Sequence, residues 1–363
     1  MTKRTAAFSL AEVMVSMAIL GVVSVFLMDM LARQTQTYQV VDQVAEAQTN
    51  LRVITDLAER ELRVTGFMAP EGGSICAVDR TNAPDIVVVT DASAINPADQ
   101  TQNDLGAPIT AGYDGTNTDT LTITGDSTVD GAPFYDSDGN GVLDTDFVDV
   151  PAMGQRGAVI VTDRNNPQRG NSCGQIVANS LTVGATTSTI QIDYDFGAAG
   201  TGSLPLAAIA AGDNPVDLVA IPATVYLVSP AAQLMRNGVM LAEDVEDMQA
   251  AFFFDVDDDD VVDGDPQAAP QQPPFRSDTE YPGSIAGGVE YESGDWDHSQ
   301  LREIRLSIVI RTRAQDSASI EDPALATNTF IAMENRVAPV QPPDGFRRRV
   351  LTMTVPPRNV GRR

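Results

Sequence analysis

The stretch Ala7-Phe8-Ser9-Leu10-Ala11-Glu12, followed by Val13 to Met28 without another charge, decides the fold of this chain. From Phe8 to Met28 the run is long enough, at about 1.5 Å per residue, to cross a hydrocarbon layer of roughly 30 Å. Lys3 and Arg4 precede it, and this positive flank predicts a cytoplasmic N-terminus with the rest of the chain on the far side. Glu12 is the anomaly. A carboxylate facing lipid costs on the order of 2.5–3.5 kcal/mol and is retained where something answers its charge. A cleaved secretory signal fits poorly, because its apolar core is usually about 7–15 residues and a small-x-small site follows closely. Here the nearest such site, Ala45-Glu46-Ala47, lies far past the apolar run. A plain membrane anchor accounts for the length and leaves Glu12 without a role.

Ala7, Phe8, Ser9, Leu10, Ala11 and Glu12 resemble the processing junction of the prepilin family, whose mature chains open with Phe and carry Glu as the fifth residue. The family usually has Gly before the cut, where this chain has Ala7. The resemblance implies cleavage after Ala7 by a prepilin peptidase on the cytoplasmic face, methylation of the new Phe8 amine and retention of the apolar segment. It also implies a partner for Glu12, namely the free N-terminal amine of a neighbouring subunit once helices pack into a filament core.

Beyond Met28 the pattern remains helical. Leu31, Tyr38, Val41, Val44, Leu51, Ile54, Leu57, Ala58 and Leu62 recur at mixed three- and four-residue intervals, which predicts one amphipathic face docked on a globular domain. No Pro precedes Pro70, and Gly66 is placed to end the helix. The expected organisation is a leader at 1–7, an assembly half-helix at 8–28, an amphipathic half-helix at 29–66 and a β-rich domain at 67–363. Strands are expected at Asp85 to Thr90, Thr120 to Thr124, Ala158 to Thr162, Thr189 to Tyr194, Ala220 to Val228, Leu301 to Arg313 and Phe346 to Val355. Asn237-Gly238 is a hairpin signal between Gln233 to Arg236 and Val239 to Leu241. Three stretches rich in Gly, Pro, Asp, Thr and Ala, at 92–117, 197–217 and 264–297, are expected as surface insertions. The fold class is therefore α+β: a long N-terminal helix on an antiparallel sheet, a pilin-like arrangement with long loop insertions.

Later blocks narrow the resemblance. The run 45–52, the segment Glu61 to Phe67, the acidic block 243–248 leading to Asp255-Val256-Asp257, the Arg-bounded strand 302–313 and the terminal 347–359 resemble PilW-type minor pilins. That subfamily implies a minor subunit of a type IV pilus that helps prime assembly at the tip. Its partners would be other minor and major pilins through the N-terminal helix, and the prepilin peptidase. Its location would be the inner membrane with a periplasmic domain, then the pilus on the cell surface. The J-type pseudopilins of type II secretion are close relatives, and a membrane-tethered calcium-dependent adhesin is the rival from another class.

Two acidic loops have the spacing of Ca²⁺ sites. In 136–144, side-chain oxygens of Asp136, Asp138, Asn140 and Asp144 stand at loop positions one, three, five and nine, with the Val142 carbonyl between the last two. Phe147 occupies the position where an EF-hand has its closing Glu, leaving Asp146 or Asp149 as substitutes. Asp255, Asp257, Asp259 and Asp263 repeat the offsets, with Asp260 in place of the central Gly. An oxygen-only donor set favours Ca²⁺ over a transition metal; simple solvated acidic turns are the alternative.

The formal charge is −27, and loss of Lys3 and Arg4 with the leader takes it to −29. So acidic a chain disfavours nucleic acid as a partner. Arg347 to Arg349 and Arg362-Arg363 form basic islands, expected as exposed strand residues and a loose tail. Cys76 and Cys173, the two cysteines present, are expected to pair in an oxidising compartment, against the alternative of two buried thiols. No enzyme activity is expected: the one histidine, His298, cannot build a multi-His zinc site, and no Gly-x-Ser-x-Gly occurs.

Overall fold

In the computed structural model, residues 10–78, 80, 83–91, 105–115, 117–124, 134–135, 144–145, 149–150, 155–182, 187–197, 216–254, 301–313, 315 and 346–360 are described. The first helix, α1, runs unbroken from Leu10 to Val64, about 82 Å at helical rise. It ends where Gly66 takes φ +79°, a left-handed conformation that a side chain resists; a Cβ there would also meet Val360 Cγ2 at 2.8 Å. The carbonyls exposed at that end are met by the chain's own C-terminal segment. The Arg358 N–H donates to Arg63 O at 3.0 Å and Asn359 Nδ2 to Val64 O at 3.1 Å. The C-terminal segment is docked there as far as Val360, which is buried, while the expected loose tail, Arg362-Arg363, lies outside the described residues.

The β elements are β1 (Ile75–Val78), β2 (Ile86–Thr90), β3 (Ala107–Ala111), β4 (Thr118–Thr124), β5 (Phe134–Tyr135), β6 (Asp144–Thr145), β7 (Asp149–Val150), β8 (Gln155–Arg156) and β9 (Ala158–Asp163). They continue with β10 (Asn171–Ile176), β11 (Thr187–Asp193), β12 (Leu218–Val228), β13 (Gln233–Arg236), β14 (Val239–Glu243), β15 (Val245–Phe254), β16 (Leu301–Arg311) and β17 (Arg348–Val355). All pairings among the described residues are antiparallel. The expected single sheet is instead divided. Around one circuit, β12, β3, β4, β11, β10 and β9 each pair with the next, and β9 returns to β12, closing a six-stranded barrel. β15, β16 and β17 form a separate three-stranded sheet.

β12 joins the halves. Its first residues, Leu218 to Ala223, pair with β9 on one edge while Val219 and Ala220 pair with β3 on the other. Its last residues leave the barrel, with Ala223 to Tyr226 pairing with β2 and Tyr226 to Val228 with β13. Pro222 would disrupt an ordinary central strand because it lacks an N–H. It lies at the junction between the β3 and β2 pairings, where the Asp91 N–H donates to its carbonyl at 3.1 Å. The β13–β14 hairpin turns at Asn237 (φ 49°) and Gly238 (φ 79°), both positive as a type I′ turn requires.

Three apolar clusters follow from this layout. One fills the barrel with Leu121, Ile123, Val159, Val161, Ile190 and Ile192 among others. A second lies between β1–β2 and the outer wall of the barrel, including Val88, Ile160, Ile221 and Val225. The third lies under α1, where Ala47, Leu51, Ile54, Ala58 and Leu62 meet Val87, Tyr226, Phe252, Ile304 and Leu306. Cys76 on β1 and Cys173 on β10 cross the second cluster as a fully buried disulfide with Cα atoms 6.1 Å apart. The bond thus ties strand to strand.

Several expectations are corrected. The stretch expected as an insertion at 92–117 contains β3 and the buried Leu105. β16 ends at Arg311 rather than Arg313, and β17 starts at Arg348 rather than Phe346. Arg348, expected to be exposed, is buried against Glu246, with Nη2 donating to Oε1 at 2.9 Å.

Candidate functional site

Of the residues singled out by the sequence, Glu12 lies on the part of α1 that nothing in the described structure covers. From Leu10 to Met28 the apolar side chains stand exposed, Leu10 at 82 % and Met28 at 73 %. This portion is about 28 Å long, close to the thickness of a hydrocarbon layer, and is the one candidate membrane span among the described residues. Its backbone bonds are satisfied within the helix, as a lipid environment demands. Its polar side chains turn the same way: Ser16 Oγ donates to Glu12 O at 2.7 Å and Ser24 Oγ to Leu20 O at 2.8 Å. Glu12, in the first turn, is the one ionisable residue from Leu10 to Met28 and lies on the helix surface. At the other end, Asp29 and Arg33 close the apolar run with an exposed pair at 3.1 Å.

The helix then continues free of the domain. Leu31, Tyr38 and Val41 are 60 %, 68 % and 60 % exposed, and burial begins at Ala47. The expected single amphipathic face from 31 to 64 is thus two faces. At about 100° per residue, Leu31, Tyr38 and Val41 point roughly 150° away from the docked stripe Ala47, Leu51, Ile54, Ala58 and Leu62. A list of three- and four-residue intervals hides that rotation, because small offsets accumulate along a long helix.

Two polar contacts that the sequence reading missed hold the docked half. Glu61 accepts from Arg236 Nε, shared between its two carboxylate oxygens at 3.0 and 3.3 Å, from Arg236 Nη2 at 2.6 Å, and from the Tyr226 hydroxyl. Burial first, then the Glu61 charge, push the Tyr226 hydroxyl well above its usual range. For Arg236, burial works against the charge but the bonds and charge of Glu61 outweigh it, so its pKa is raised. Glu61 flanks the buried stripe beside Leu62, but no local pattern names Arg236 or Tyr226 as its partners, which lie more than 160 residues away. Where the helix leaves the domain, Arg313 reaches Glu46 at 3.4 Å, Glu243 at 3.2 Å and Asp244 at 3.7 Å. These groups are largely exposed, so their worth is orientation more than stability.

Ala7 and Phe8 lie outside the described residues. So do Asp136, Asp138, Asn140 and Val142 of the first acidic loop, and Asp255, Asp257, Asp259 and Asp263 of the second. Asp144 is placed by its backbone, on β6 opposite Tyr135 of β5. Among the described residues no cluster of His, Cys, Asp and Glu could hold a metal ion.

Comparison with curated proteins finds no match, and comparison with solved structures finds none. Comparison with protein families finds one: residues 2–28 match the family model described as the prokaryotic N-terminal methylation motif. That match falls on the residues ahead of α1 and on its uncovered apolar half, and it supports a type IV pilin-like prepilin protein.

Proposed function

We propose that this chain is a PilW-type minor pilin, cut between Ala7 and Phe8 by a prepilin peptidase and held in the inner membrane until α1 enters a growing pilus. The observation that carries the reading is the half-helix itself: uncovered, apolar, as long as a bilayer core, matching the methylation motif and interrupted by the single acid Glu12. An uncovered apolar rod of this length is stable in lipid or among other such rods. Priming at the tip with other minor and major pilins is the role, with no catalysis and no nucleic acid as partner.

Mass spectrometry of the chain from membrane and sheared-filament fractions tests this. The expected result is a mature chain beginning at N-methylated Phe8 in the filament fraction. An intact Met1 terminus, with the protein confined to membranes, would fit an uncut tethered adhesin and overturn the reading.

We further propose Ca²⁺ as the ligand of the loop formed by Asp136, Asp138, Asn140, Val142 and Asp144, and of the loop formed by Asp255, Asp257, Asp259 and Asp263. The pairing of Tyr135 with Asp144 supports the first, because it draws the two ends of the loop together. Bound cation would also offset self-repulsion in so acidic a chain. At a Ca²⁺ concentration about 100-fold above Kd, stabilisation of roughly 2.7 kcal/mol is expected. Calorimetry of the full chain in detergent, with Ca²⁺ and then with excess chelator, should show a higher unfolding temperature with the ion; coincident transitions would dismiss the sites.

A further inference from the structure

We propose that residues 27–45, from the last turn of the membrane half of α1 up to the docked half, form a seam that pairs with the same stretch of a second copy of this chain in the membrane. Leu27, Leu31, Gln34, Tyr38, Val41 and Ala45 follow one another at alternating four- and three-residue steps. That alternation keeps one side of a helix facing a partner helix along its whole length, whereas a surface helix packed on its own domain needs no such regularity. The four large apolar members are 54–68 % exposed. Water-exposed apolar side chains at coiled-coil spacing mark an interface that the isolated chain leaves unmade.

Three observations select a second copy as the occupant. The seam points roughly 150° away from the docked stripe, so the domain stands behind the helix and leaves room for a parallel neighbour. The flanking positions Met28, Met30, Thr35, Thr37 and Val44 carry no charge, with Asp42 the single exception, so two identical faces meet without like-charge opposition over most of their length. The same alternation runs back through Ser24, Leu20, Met17 and Val13 in the apolar half, so a copy held in the same bilayer is already parallel and aligned. Gln34 is the polar member within the stretch. Opposite its own copy, one amide N–H can donate to the other amide oxygen, which penalises any shifted register. The pairing concerns the membrane-embedded chain before filament growth, so it stands or falls apart from the pilus reading.

The described residues contain no free cysteine, the native pair being joined in the buried disulfide. A single new thiol on α1 is therefore a clean reporter. In the full-length protein in its own membranes, Leu31→Cys, Tyr38→Cys and Val41→Cys are compared with Ala32→Cys and Gln39→Cys on the far side, under mild oxidation. Covalent dimer is expected at the three seam positions at roughly fivefold or more over the other two. Equal yields around the helix, stronger linkage at Ala32 or Gln39, no linkage, or a product containing a different protein would each overturn the proposal. Filament incorporation of the same variants, measured separately, keeps failure of the seam distinct from failure of assembly.

Discussion

Glu12→Ala is expected to lower the amount of this protein in sheared filaments by at least tenfold while leaving its amount in the membrane fraction unchanged. The direction follows from what the residue does in each environment. In a bilayer the carboxylate is a liability of about 2.5–3.5 kcal/mol, so its removal cannot impair insertion. On the proposed reading, in a bundle of such helices the carboxylate meets an amine exposed at Phe8 by processing, and deleting one member of a buried pair leaves the other charge uncompensated at ~3–5 kcal/mol. That is roughly 150- to 5,000-fold in an equilibrium constant, and the tenfold expectation allows for partial relief by water. Glu12→Gln keeps shape and one hydrogen-bond acceptor and should fall between alanine and the wild type. Quantitative immunoblots of the two fractions check this; an unchanged filament-to-membrane ratio for Glu12→Ala would show that Glu12 has no such partner.

The double substitution Cys76→Ala with Cys173→Ala is expected to destabilise the domain by ~2–5 kcal/mol, which for a domain of this size lowers the unfolding temperature by about 5–15 °C. The bond closes a loop of sequence separation 97 and lies wholly buried between β1 and β10. Its position matters as much as its loop. Barrel and helix-bearing layer share one continuous strand, β12, and the disulfide is a second covalent tie across the apolar cluster between them. Changing both residues avoids leaving an unpaired thiol. The measurement is a thermal melt of the detergent-solubilised full chain; a shift within a degree or two would mean that packing of Val88, Ile160, Ile221 and Val225 alone sets the coupling.

Strand-by-strand legibility tracked how many faces of each strand are covered. β4 and β11 form the barrel wall with one face inward, and Leu121, Ile123, Ile190 and Ile192 alternate with Thr and Gln as a half-buried strand should. β2 and β9 are buried on both faces, and their unbroken apolar runs were readable as strands without revealing which side faces what. β10 was missed because Asn171, Ser172 and Gly174 are poor strand signals. Asn171 is held there by the donation of its Nδ2 to Gly72 O and Ile75 O at 2.7 and 2.6 Å, which no local pattern announces. Of the candidate site, Glu12 and the apolar half-helix were legible because they depend on composition within one element. The anchor of Glu61 on Arg236 and Tyr226 was not, since its partners lie more than 160 residues away.

What the sequence determined by itself is the helix: its length, its uncovered apolar half, the lone acid within it and the glycine that ends it. Each is local, because helical hydrogen bonds join residues four apart and the apolar period is visible in a short window. Closure of the barrel, the double membership of β12 and the division of α1 into oppositely facing stripes were decided only in three dimensions. Strand pairing joins residues such as Leu218 and Asp163 that are far apart in the chain, and a strand covered on both sides has no alternation to declare its register.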